Sequence, residues 1–222
     1  MINKRKLASI LIALATLFTS ENVAVADNPP RKILTGWIPY YSKTGLSSAV
    51  VNADIIAEVS PFWYSLTKEN KILDQYATGN PSIPISTPIA TLRSMNFKIL
   101  PTITDGTDKL VLSNLLSAES GRSAAVQAIV DLVAANNFDG IDLDFENFAF
   151  VDGNTSWDST KPNWILFVKL LSSKLHEIGK LLSITSPYAL DPTSGKKGYY
   201  VYAWAEIAPV IDRLRIMTYD YS

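Results

Sequence analysis

The chain has 222 residues, 47% apolar and 18% charged, with a formal net charge of −1 and no cysteine. This is the composition of a globular protein, and it excludes a disulfide framework or a cysteine-held metal. With no basic patch to neutralise phosphates, it offers no footprint for nucleic acid or an anionic membrane.

Residues 1–26 read as a secretory leader. Lys4, Arg5 and Lys6 precede an apolar run over 7–18, and Ala24-Val25-Ala26 supplies small residues for cleavage before Asp27. The run is about twelve residues, against the roughly 20 that a membrane-spanning helix needs. Cleavage after Ala26 is expected to leave a mature chain over 27–222, secreted or associated with the cell wall and without a membrane anchor. No cysteine is present to carry a lipid.

After a short polar entry, strand-like runs fall at 33–38, 55–64, 98–104, 140–146, 181–187 and 214–219. Helical periodicity lies between them, clearest over 123–135, where Val126, Ile129, Val130 and Val133 share a face. A second helix is expected over 163–178, with Trp164, Phe167, Leu171, Leu175 and Ile178 on one stripe and Gly179 as its stop. The polar stretch 152–162 reads as a loop interrupted by Trp157. The single histidine, His176, is expected on the exposed side of its helix. Strands alternating with helices predict an α/β fold with a parallel sheet, and the periodicity alone fits both an open doubly wound sheet and a closed barrel. Gly36-Trp37-Ile38-Pro39-Tyr40-Tyr41 lacks the glycine pattern of a dinucleotide site, so no cofactor is expected.

The most informative run is Asp139-Gly140-Ile141-Asp142-Leu143-Asp144-Phe145-Glu146. Side chains alternate along a strand, which places Ile141, Leu143 and Phe145 on one face and Asp142, Asp144 and Glu146 on the other. Alternate residues are about 6.6 Å apart, so the carboxyl groups come within reach of one another. Like charges this close on a partly buried face cannot all ionise, and at least one must hold its proton at neutral pH. A solvated acidic edge strand and a site for a hard cation are the alternatives. The flanking apolar helices argue for a central strand. The lack of turn-spaced ligands argues against a metal.

This segment fits the D-G-x-D-x-D-x-E signature of family-18 glycoside hydrolases, the chitinase-like family, and the chain resembles that family. Met217-Thr218-Tyr219-Asp220 is similar to the family's M-x-Y-D segment on strand six, and 36–41 to its aromatic first strand. The resemblance implies a (β/α)8 TIM barrel with the acidic motif on strand four. Only six strand-like runs are present, so the barrel is expected to be truncated after strand six, with no counterpart for the family's strand-eight tryptophan.

The resemblance also implies retaining, substrate-assisted hydrolysis of β-1,4-linked N-acetylglucosamine polymers, chitin or peptidoglycan glycan. Glu146 then acts as acid and base. Asp144 orients the acetamide and stabilises the oxazolinium ion, Asp142 modulates Asp144, and Tyr219 binds the acetamide oxygen. Asp220 and Met217 line the same pocket, and Tyr40, Trp63 and Trp157 are aromatic candidates for sugar contact. A glycan is the expected partner of a monomer. The rival reading is a non-catalytic, lectin-like member of the family.

Overall fold

The computed structural model describes residues 32–188 and 198–218. The expected leader, Tyr219 and Asp220 lie outside the described residues.

The strands are β1 (Thr35–Pro39), β2 (Glu58–Leu66), β3 (Ile72–Asp74), β4 (Lys98–Ile99), β5 (Thr102–Asp105), β6 (Gly140–Asp144), β7 (Leu181–Ser186) and β8 (Arg213–Ile216). They join in the order β1-β2-β5-β6-β7-β8, every pair parallel. β4 extends the β5 side by pairing with β2, and β3 folds back antiparallel on β2. The result is an α/β half-barrel: helices cover the outer face of the sheet, and the inner face curves around a polar interior.

Two boundaries differ from the sequence pattern for identifiable reasons. The run over 98–104 is split at Pro101, which has no N–H to donate, although the Leu100 N–H still reaches the Val59 carbonyl at 2.9 Å. The acidic strand ends at Asp144, two residues early, because the backbone turns at Glu146 (φ −120, ψ −32) into a short helix, Asn147–Phe150.

The two helices expected from periodicity are present over Glu119–Ala135 and Trp157–Glu177. The second begins inside the stretch read as a loop. Trp157 and Thr160 are buried in line with Trp164, Phe167, Val168, Leu171 and Leu175, so the apolar stripe starts earlier than its polar neighbours suggested. Pro162, inside the second turn of the helix, has no N–H for the ladder bond to the Asp158 carbonyl. Ile178 is not part of the buried stripe: it caps the helix, and Gly179 follows at φ +69. The Lys180 N–H returns to the Leu175 carbonyl at 2.9 Å, as at many glycine-terminated helix ends. His176 is at the surface, paired with Asp212 at 2.8 Å. Among the described residues no helix is long and apolar enough to cross a membrane.

The core lies between the outer sheet face and the helices. Ile103, Ile141, Leu143, Leu182 and Ile184 are fully buried there. Gly140 is required by close approach, since a Cβ at that position would sit 2.2 Å from the Leu181 carbonyl oxygen on the neighbouring strand. Directly outside the acidic strand, Phe145 packs on Trp164 and Phe167, and Phe148 packs on Trp164 and Tyr202. Glu146 is therefore carried between two buried aromatic anchors. Truncating either anchor to alanine is a change of the class that costs about 3–5 kcal/mol.

Candidate active site

The acidic motif occupies a central strand, paired with β5 on one side and β7 on the other. All five residues of β6 are buried, which removes the solvated-edge alternative.

Asp142 is fully buried, and four donors converge on it. Its Oδ2 accepts from Thr102 Oγ1 at 2.9 Å and from Trp37 Nε1 at 3.1 Å, and the Thr185 hydroxyl lies 3.2 Å from both carboxylate oxygens. The Arg215 guanidinium approaches to 3.3 Å, resting over the Trp37 ring with 5.4 Å to its centroid. Strands β1, β5, β7 and β8 thus each supply a group to one carboxylate. Nearer the N-terminal end of the strands, the buried Glu58 pairs with Arg213 at 2.8 Å.

Asp144 is placed differently. It is buried at the end of β6, and among the described residues it has no ion pair and its Oδ1 has no hydrogen-bond partner. Burial, followed by the charges of Glu146, Asp142 and Asp105, pushes its pKa up to about 8. These surroundings favour the protonated form of Asp144.

Glu146 is half-buried and borders a cleft of about 290 Å³. Trp37, Tyr41, Phe62, Asp144, Thr185 and Met217 share its lining. An acid and a neutral, hydrogen-bonding carboxyl on one wall of a partly aromatic cleft can protonate a leaving group while orienting a polar substituent beside it.

Three aromatic assignments are corrected. Trp63 is 1% exposed and packs at a tilt against Tyr76 with ring centroids 4.7 Å apart, so no face is open to a sugar. Trp157 is 9% exposed, donates Nε1 to the Ala149 carbonyl at 3.1 Å and is flanked by Tyr199 and Tyr200, so it is an anchor of its helix. Tyr40 lines a separate cavity with Trp63 and Tyr76. The neighbouring Tyr41, 64% exposed, lines the acidic cleft together with Trp37, 40% exposed. The signal for Trp37 was available in the sequence, since it alternates with Pro39 on one face of the first strand.

Sequence reasoning missed Asp105. It is buried at the end of β5, with Oδ1 accepting the Glu146 N–H at 2.8 Å and Oδ2 the Phe148 N–H at 3.3 Å. Burial raises its pKa to about 7, partly offset by the backbone N–H groups directed at it. Its alternation with Ile103 puts a carboxylate on the apolar face of a strand, a placement that demands partners.

The sequence profile of glycosyl hydrolases family 18 matches residues 84–222 of this chain, well over half of it. Chitinase A1 of Niallia circulans is 31% identical over 114 residues, which cover 50% of this chain and 16% of that protein. Among solved structures, a class V chitinase from Pseudomonas fluorescens Pf-5 superposes with a TM-score of 0.71 at 20% identity, covering 86% of this chain and 55% of that one. The spore cortex-lytic enzyme SleL of Bacillus megaterium QM B1551 gives 0.65 at 16% identity, covering 86% and 44%. The chain therefore spans about half or less of each of these relatives. The structural likenesses bear on the fold, a (β/α)8 barrel represented here by its first six strands.

Proposed function

Because this chain belongs to family 18 of the glycosyl hydrolases, matched over residues 84–222, we propose that it cleaves β-1,4-linked N-acetylglucosamine polymers by a retaining, substrate-assisted route. The observation that carries this reading is the pairing, in one cleft, of Glu146 with a buried Asp144 whose Oδ1 lacks a donor among the described residues. An acetamide N–H is a donor of the right kind for that oxygen.

In this reading Glu146 protonates the glycosidic oxygen as the substrate's own acetamide oxygen attacks the anomeric carbon. The C–O bond to the leaving sugar breaks and a cyclic oxazolinium ion forms. Asp144 accepts the acetamide N–H and, as its proton shifts toward Asp142, places negative charge beside the cation. Asp142, held by Trp37, Thr102, Thr185 and Arg215, receives that proton and gives up its own negative charge as Asp144 gains one. Glu146 then takes a proton from water, which opens the ring with retained configuration. An internal nucleophile gains proximity without any enzyme nucleophile. Tyr219 is assigned to the acetamide oxygen and Asp220 to the same pocket, both from the M-x-Y-D segment. The leader-like residues 1–26 support action outside the cytoplasm, on chitin or on peptidoglycan glycan.

The test is release of reducing sugar from N-acetylated chitin oligosaccharides and from purified peptidoglycan, with de-acetylated chitosan oligosaccharides and β-glucan as controls. Cleavage of one acetylated polymer and of neither control is expected, and identifies the polymer. Equal cleavage of the controls overturns the substrate-assisted route. Binding without cleavage of any glycan supports the lectin-like reading instead.

A further inference from the structure

We propose that Asp105 is a positioning residue for the reaction at Glu146, fixing the strand-to-helix junction that carries the acid. This rests on the hydrolase reading for its consequence in catalysis, but not for its geometry.

Glu146 sits where an extended backbone becomes helical, and the first N–H groups of a helix have no partners within it. No side chain of the short helix caps it. The acceptors arrive instead from another strand: Asp105 takes the Glu146 and Phe148 N–H groups, one on each carboxylate oxygen. The contact is reciprocated. Asn147 Nδ2 donates to the Asp105 carbonyl at 2.9 Å and to the Thr107 carbonyl at 2.7 Å. Four hydrogen bonds thus lock the end of β5 to the proposed acid and the two residues after it. Phe145 and Phe148 fix the same turn from below by packing, which restrains position. The Asp105 clamp adds restraint on the direction of the peptide planes.

The charge of Asp105 matters because of what surrounds it. The titratable groups it meets are Asp144 from β6, Glu146 at the junction and the Tyr202 hydroxyl from the short 3-10 segment Tyr200–Tyr202. That hydroxyl donates to the Phe145 carbonyl at 2.6 Å. No lysine or arginine pairs with Asp105 among the described residues. When ionised, Asp105 adds to the burial and to the charges of Glu146 and Asp142 that favour the protonated form of Asp144.

The experiment compares Asp105→Ala, Asp105→Asn and wild type in the full chain. Asparagine keeps the size and one acceptor for the Glu146 N–H while removing the charge. Alanine removes both. With alanine, kcat on acetylated chitin oligosaccharides is expected to fall by about 100-fold, as for a misplaced catalytic group, with KM little changed. Asparagine is expected to recover most of that loss, and to move the pH profile of kcat/KM to lower pH by about one unit, because the neighbouring carboxyls lose a like charge. An Asp105→Asn variant as slow as Asp105→Ala, or a loss in Asp105→Ala that is all in KM, overturns the proposal. One readout needs no turnover: amide exchange at Glu146. A wild type that cleaves no glycan sinks the hydrolase reading. In that case amide exchange at Glu146 that is no faster in Asp105→Ala than in wild type still overturns the role given to Asp105, and faster exchange upholds it.

Discussion

The two ends of the same half-barrel carry negative charge in opposite ways. Toward the N-terminal end of the strands, Glu58 and Asp142 are buried against guanidinium groups, Arg213 at 2.8 Å and Arg215 at 3.3 Å. At the C-terminal end, Asp144 and Asp105 have no such partner among the described residues, and burial pushes them up to about 8 and about 7. A charge taken from water must be paired or neutralised. One end meets that requirement with an arginine and the other with a proton. Two residues along β6 thus separate a fixed charge from an exchangeable one. The exchangeable end is where Glu146 and the cleft lie, in keeping with the placement of barrel active sites at the C-terminal ends of strands.

The sharpest way to break this contrast is at the exchangeable end. Glu146→Gln preserves volume and hydrogen-bonding shape but cannot deliver a proton. Activity on acetylated oligosaccharides is expected to fall by ~10²–10⁴-fold, the usual share of general acid–base catalysis, with binding affinity changed by only a few-fold. Turnover within a few-fold of wild type would show that the acid lies elsewhere. At the fixed end the expected loss is in folding. Arg215→Met leaves Asp142 buried without its cation, a change of the class that costs about 3 kcal/mol, and Asp142→Asn in the same chain should restore much of it. Urea unfolding of the single and double variants reads this directly. A single variant as stable as wild type would mean that Trp37, Thr102 and Thr185 suffice to hold the carboxylate.

The contrast was half legible in the sequence. Alternation along β6 put Asp142, Asp144 and Glu146 on one face and three apolar residues on the other, because a strand's period of two is a local property. The requirement that one carboxyl keep its proton followed from spacing alone. Which carboxyl does so was not legible: it depends on Arg215, 73 positions after Asp142 in sequence and brought beside it only by the curvature of the sheet. Asp105 was missed for a related reason, since its partners, Glu146 and Phe148, are made neighbours only by the pairing of β5 with β6. Trp63 and Trp157 show the limit for aromatics. A tryptophan near a strand end suits a sugar or a core equally well, and only packing against Tyr76, Tyr199 and Tyr200 decides. The helix start at Trp157 was hidden by Pro162 and its polar neighbours, which resemble a loop when the buried stripe beneath them is not seen.

The smallest effect per step, and the one that separates the two ends most directly, is the dependence of stability on pH. Asp144 has a folded pKa of about 8, above its ordinary value of 3.8, so the folded protein binds a proton that the unfolded chain has released. Its stabilising contribution is complete below about pH 4 and is lost as pH rises through 8; Asp105 behaves in the same sense up to about 7. Between pH 5 and 7 each such proton lowers stability by at most about 1.4 kcal/mol per pH unit. Asp144→Asn mimics the protonated form and cannot titrate, so it should remove one of the two contributions and leave a shallower slope. Unfolding free energies at several pH values across this window, in wild type and variant, measure the difference. Parallel slopes would mean that Asp144 is already ionised in the folded protein, and the distinction between a paired and a protonated end of the half-barrel would then fail at its central residue.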